Sequence, residues 1–329
     1  MRRRDFIRLI GGSVAGWPLA GSAQEPERVR RIGVFLPGMA GNKEARHRYE
    51  VFRDALKQLG WVEGRNVHFD VRSVGGQREV TQAATEEILA LAPDLMLANG
   101  ATVLSTLLQH TRTTPIVFVQ VADPVAGGFV ASLAEPGGNV TGFVNFEYAI
   151  AGKWVTLLRE IAPRAIHLAA VLDPLLGTSA GILGAVQAVS SALGLQLSVV
   201  SARNGAEIER AISTLSRDHE TGLIVLPGPT LTTNYERIIA LAAQLRIPTI
   251  YPYRYVVAAG GLASYGPDPT EEYRKAASYV DRILRGEKPA GLPVQTPTKY
   301  ELAINLKTAK AIGIAVPSTL LARADEIIE

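Results

Sequence analysis

Gly177-Thr178-Ser179-Ala180-Gly181 matches the G-x-S-x-G pattern, in which a serine on a tight strand-to-helix turn becomes a nucleophile. That chemistry needs the serine directly at the strand end and a histidine held by a separate acid. Here Asp173-Pro174-Leu175-Leu176 loosens the turn, and the only downstream histidine, His219, follows immediately on Asp218. Ser179 therefore reads as a helix N-cap, with a hydrolase built on it as the competing reading. No G-x-G-x-x-G opens a helix after a strand, and Glu147 stands where a phosphate loop ending in Gly152-Lys153 would need its first glycine. The histidines (His47, His68, His110, His167, His219) make no i, i+4 pair, and there is no cysteine. Metal centres, disulfides and thiol nucleophiles are not expected, nor is any cofactor or catalytic residue.

The elements around these segments alternate short apolar runs with longer amphipathic stretches, the pattern of an α/β chain with parallel sheets. In the first half strands are expected at 32–36, 67–71, 94–98, 115–121 and 140–144, with helices at 43–59, 78–91 and 102–111. In the second half strands are expected at 167–172, 196–200, 222–226, 248–251 and 262–265, with helices at 179–193, 206–216 and 233–245. A helix over 271–284 ends at Arg285-Gly286, and a proline-spaced linker leads to a strand at 301–306 and a helix at 307–312. The halves repeat one scheme, so the expected architecture is two doubly wound parallel-sheet lobes. A tail arriving after both lobes implies several crossings and a multi-stranded hinge. The expected division is 24–143 plus about 266–292 for one lobe, and 144–265 plus about 293–329 for the other.

In open α/β sheets ligands sit beyond the carboxyl ends of the strands, and two lobes facing one another make a cleft there. Asn99, Gly100, Ala101 and Thr102 lie at such a junction, where free backbone N–H groups and a helix N-terminus favour an anionic group. Gln120 and Asp123 end the next strand, with the Asp123 carboxylate suited to a ligand amine. From the second half Asp173, Gly228, Thr230, Tyr251 and Tyr253 are expected across the cleft, the tyrosines presenting an apolar face with a polar tip.

Residues 1–23 read as a processing segment. Arg3, Arg4 and Phe6 have the layout of a twin-arginine export signal, followed by a short glycine-softened apolar stretch and small residues up to Ala23. Of 34 basic and 31 acidic residues, four arginines and Asp5 lie in it, leaving 30 of each from Gln24 onward. The excess of positive charge belongs to the signal and gives no reason to expect nucleic acid as a partner. No window of about 18 apolar residues follows, and without cysteine there is no lipid attachment. A free, soluble, periplasmic monomer exported by the twin-arginine machinery is expected.

Several blocks carry a resemblance. They are Ala122-Asp123-Pro124, Pro136-Gly137-Gly138-Asn139-Val140-Thr141-Gly142, Ala259-Gly260-Gly261-Leu262-Ala263-Ser264-Tyr265-Gly266 and Pro293-Val294-Gln295-Thr296-Pro297-Thr298-Lys299-Tyr300-Glu301-Leu302. With these the chain resembles the ABC-transporter substrate-binding family that includes the tryptophan and tyrosine uptake receptors, over essentially its whole length after the signal. The resemblance implies a type I periplasmic-binding fold and an exported receptor. Such a receptor would capture a small solute, an amino acid or other small carboxylate, and present it to an inner-membrane ABC permease. Arg254-Tyr255 and Asn99 depart from the family pattern and argue against an aromatic amino acid. A ligand-binding sensory module is the remaining alternative.

Overall fold

The computed structural model describes residues 28–38, 42–74, 78–174, 176, 179–215 and 220–329. The signal residues Arg3, Arg4 and Phe6 lie outside them. The first half builds β1 (Arg30–Pro37), α1 (Lys43–Gln58), β2 (Val67–Val74), α2 (Arg78–Ala90), β3 (Leu95–Asn99), α3 (Ala101–His110), β4 (Ile116–Val121) and β5 (Val140–Val144). These strands form a parallel sheet in the order β2-β1-β3-β4-β5. Its inner strands are covered on both faces and therefore read as unbroken apolar runs: Leu95 to Ala98 and Ile116 to Val119 are all buried.

The chain then makes α4 (Ile150–Ile161), β6 (His167–Leu172), α5 (Ser179–Ala192), β7 (Gln196–Ser201), α6 (Gly205–Ser213) and β8 (Thr221–Val225). It continues through α7 (Pro229–Thr233), α8 (Tyr235–Leu245), β9 (Thr249–Tyr251), α9 (Arg254–Ala258) and β10 (Ala263–Gly266). After α10 (Pro269–Leu284) come β11 (Glu301–Asn305), α11 (Leu306–Ala311), α12 (Ser318–Leu321) and β12 (Glu326–Ile328). The second sheet runs β12-β11-β10-β9-β8-β6-β7 and is parallel except between β10 and β11. The fold is α/β with two parallel-sheet lobes, as the periodicity predicts.

The connectivity explains the late tail. Helix α10 packs against α1 and β4 of the first sheet, and its Asp281 Oδ1 accepts a 2.8 Å hydrogen bond from Trp61 Nε1. Strands β11 and β12 then return to the second sheet. Around the crossings, Gln295 N donates to Gly142 O at 3.0 Å, Val144 N donates to Gln295 O at 2.8 Å, and Thr141 Oγ1 donates to Leu292 O at 2.6 Å.

Some elements differ from the expected pattern for local reasons. The helix expected over 233–245 begins at Tyr235, because Asn234, at a non-helical φ/ψ of −107°/18°, separates it from the short α7, and Asn234 Nδ2 donates to Thr230 O. Helix α4 is not foreseen, because its N-cap is Ala149, which makes no side-chain capping bond. Its apolar face nonetheless holds Trp154 fully buried, with Nε1 donating to Tyr265 O at 2.6 Å. The helix expected over 206–216 ends at Ser213, with Thr214 as its cap.

Candidate functional site

The carboxyl ends of β1, β3 and β4 face those of β6, β8 and β9 across a narrow cleft with a cavity volume of about 70 Å³. From the first lobe Pro37, Asn42, Ala45, Arg48, Asn99, Gly100, Ala101, Gln120 and Tyr273 line it. The second lobe contributes Pro227, Gly228, Pro229, Thr232 and Tyr253, and Asn145 with Phe146 forms part of the wall where the chain leaves β5. At the β3–α3 junction Gly100 takes a φ of 85°, a left-handed conformation that favours glycine, and α3 begins there with no side-chain cap on its first N–H groups.

Arg48 is the one charged side chain among the described lining residues. It sits on the inward face of α1 with Ala45, Tyr49, Phe52 and Leu56 and is only 5% exposed. Its guanidinium carbon lies 5.6 Å from the ring centre of Tyr253 and 5.5 Å from that of Tyr255, and the two rings stack on each other at 17°. A cation of one lobe thus rests against a pair of aromatic faces of the other. Burial works to lower the Arg48 pKa, and Tyr255, Tyr253, Tyr273 and Glu44 together outweigh it, so the net shift is upward and the group stays charged. Its Nε and Nη2 have no hydrogen-bond partner within the protein, nor has Oδ1 of Asn145.

Gln120 joins the two walls. Its backbone N donates to Glu272 Oε2 at 2.9 Å, its Nε2 donates to Glu272 Oε1 at 2.8 Å, and its Oε1 accepts from Tyr253 OH at 3.0 Å. These bonds hold Gln120 at a φ of 59°, which a residue with a Cβ adopts only when its surroundings impose it. Asn99 Nδ2 donates to the Tyr273 hydroxyl, which ties the β3–α3 junction to α10.

Glu272 is buried, and burial raises its carboxyl to about 7 despite the two bonds from Gln120. The native state therefore holds this proton more tightly than the unfolded chain. The stability it confers is full below the ordinary carboxylate range and is lost as pH rises through about 7. We expect thermal stability to fall between pH 5 and pH 8 by about 3 kcal/mol from this group, and Glu272→Gln to flatten that part of the profile. A profile unchanged by the substitution would contradict the assignment.

Of the sequence-predicted residues, the structure brings together Asn99, Gly100, Ala101, Gln120, Gly228 and Tyr253. The others stand off the cleft wall. Thr102 lies in the first turn of α3, where its carbonyl accepts from Thr106 Oγ1. Asp123 Oδ1 accepts from Ala126 N in its own turn, beside a separate depression that includes Pro124 and Tyr148. Asp173 and Thr230 bond to each other at 2.5 Å behind Gly228, and Tyr251 is buried in the second lobe's core. Ser179 is buried at the start of α5 with its hydroxyl donating to Asp173 O at 2.9 Å, while Gly177, Thr178 and His219 lie outside the described residues.

Sequence reasoning passed over Arg48, Tyr273 and Asn145. The signal for Arg48 is a base inside the apolar stripe Ala45, Tyr49, Phe52, Leu56, where a solvated charge has no place.

The model of the family described as ABC transporter substrate binding protein matches residues 42–328. The chain belongs to this family. A tyrosine-binding protein of Clostridioides difficile is 25% identical over 264 residues, covering 80% of this chain and 75% of that one. Among solved structures, a conserved domain protein of Vibrio cholerae is 26% identical with a TM-score of 0.84, over 91% of this chain and all of that one. A Streptococcus pneumoniae ABC domain in complex with L-Trp shares the fold at 21% identity and a TM-score of 0.80, again over 91% of this chain and all of the other. The fold is thus that of type I periplasmic-binding proteins. As an ABC substrate-binding protein the chain has a small-molecule ligand and a membrane permease for partners, and the family supports this reading over a hydrolase. Among the described residues no helix is long and apolar enough to cross a membrane.

Proposed function

We propose that this ABC substrate-binding protein captures an amino acid or other small carboxylate in the cleft between its lobes and catalyses nothing. It is read as a free periplasmic monomer, exported through the twin-arginine signal of residues 1–23. The moving bodies are 24–143 plus about 266–292 and 144–265 plus about 293–329, with the crossings between them as the hinge. The observation that carries this reading is Arg48. A buried cation with unused donors lies where strand ends of both lobes converge, and residues of both lobes already touch across the gap.

A solute bridging Arg48 and the β3–α3 junction on one side and Tyr253 and Gly228 on the other favours the closed arrangement by its differential affinity. The permease would recognise that closed form. A solute held at 100 times its dissociation constant stabilises the protein by about 2.7 kcal/mol, which a thermal-shift series over amino acids, aromatic acids and other small carboxylates detects. A series without a single stabilising solute would count against the proposal.

A further inference from the structure

We infer that the cleft selects a small carboxylate without an ammonium group, a plain or hydroxy acid rather than an α-amino acid, with Arg48 as its specificity-determining residue. The inference rests on the reading of the cleft as the solute site and narrows the chemistry of what enters it.

The two unpartnered nitrogens of Arg48 are Nε and Nη2. These form the side edge of the guanidinium, the pair of parallel donors that receives both oxygens of one carboxylate. The stacked rings of Tyr253 and Tyr255 hold the guanidinium in place, which is the preorganisation a bidentate contact needs. The guanidinium is also where a closed cleft is most demanding. Closing the lobes takes these donors out of water, at a cost that an anion between them removes, so closure is tied to arrival of a negative charge.

An ammonium meets the opposite situation. No carboxylate side chain is among the described residues lining the cleft. Both oxygens of Glu272 accept from Gln120, Asp123 turns into its own loop, and Asp173 accepts from Thr230 outside the wall. A zwitterion would set its positive end in the same small space as the Arg48 cation, with no carboxylate on the described cleft wall to receive it. Asn145 Oδ1, an unpartnered acceptor on the cleft wall, is neutral and suits a hydroxyl donor.

Matched pairs that differ only at the α-carbon test this directly. Calorimetry of the purified protein with lactate against L-alanine, and with 3-(4-hydroxyphenyl)lactate against L-tyrosine, is expected to show at least one hydroxy acid binding. Its affinity should exceed that of its amino-acid partner by 10-fold or more. Arg48→Met should weaken that hydroxy acid by about 100-fold, and Arg48→Lys, which keeps the charge but loses the fork, by at least 10-fold. Should Arg48→Met fail to fold, the lysine variant alone decides. An amino acid that binds as tightly as its hydroxy-acid partner, or a hydroxy acid whose affinity is untouched by Arg48→Lys, overturns the inference and leaves the cleft as the solute site. Failure of both hydroxy acids to bind overturns it as well. If neutral solutes such as glycerol and ribose also leave the protein unchanged, the reading of the cleft falls with it.

Discussion

Replacing Gly266 with alanine is expected to destabilise the protein by about 3 kcal/mol or more and to disturb the cleft at the same time. Gly266 is the buried last residue of β10, and a Cβ built there would lie 1.9 Å from the carbonyl oxygen of Pro252 and 3.5 Å from the ring of Phe146. The oxygen belongs to backbone, so no rotamer change relieves the overlap. Either β10 parts from the segment after β9, or that segment shifts and carries the neighbouring Tyr253 away from Gln120 and Arg48. The transition should fall by about 5–10 °C in a thermal melt. Gly184→Ala is the control, since it lies on the exposed face of α5 with nothing within 4 Å of the added carbon. There alanine should raise stability by about 0.5–1 kcal/mol through helix propensity. Equal melting of Gly266→Ala and the parent protein would contradict the close packing of β10 on the Pro252 carbonyl.

The other large effect lies in localisation. Replacing both Arg3 and Arg4 with lysine should abolish export while leaving the folded protein unaltered, because the change falls wholly within the proposed signal. Lysine keeps the positive charge but lacks the planar guanidinium fork, so loss of export would show that the arginine pair is recognised as such rather than as net charge. Fractionation should find the wild type processed and periplasmic, and the double variant as full-length precursor in the cytoplasm. Processed periplasmic variant at wild-type yield would refute the twin-arginine assignment.

How much of this was legible beforehand differs between fold and site. Strands such as Leu95–Asn99 and Ile116–Val121 are buried on both faces and bounded by turn residues, so their apolar runs stand out. Strand β12 is three residues long, and α4 lacks a capping side chain; neither leaves a comparable mark. For the site, the rule that ligands gather at carboxyl ends of strands identifies loops, and it placed Asn99, Gly100, Gln120, Gly228 and Tyr253 on one cleft. It does not say which way a side chain turns. Asp123 looks like a ligand partner until its oxygen is seen capping its own turn. Arg48 and Tyr273 come from helices α1 and α10, far apart in sequence, and meet only because α10 returns to pack on the first lobe.

Closure itself is the most direct test of the central claim that two lobes shut on a solute. The chain contains no cysteine, so two introduced cysteines can be labelled without background. Lys43 and Glu236 are exposed at the starts of α1 and α8, helices linked across the cleft by Tyr255, whose ring meets that of Tyr235 of α8 and the guanidinium of Arg48 of α1. Spin labels at both positions, measured by pulsed dipolar spectroscopy, should show a distance distribution that narrows and shifts shorter on addition of a solute that stabilises the protein in thermal melts. An identical distribution with and without that solute bound would contradict the account.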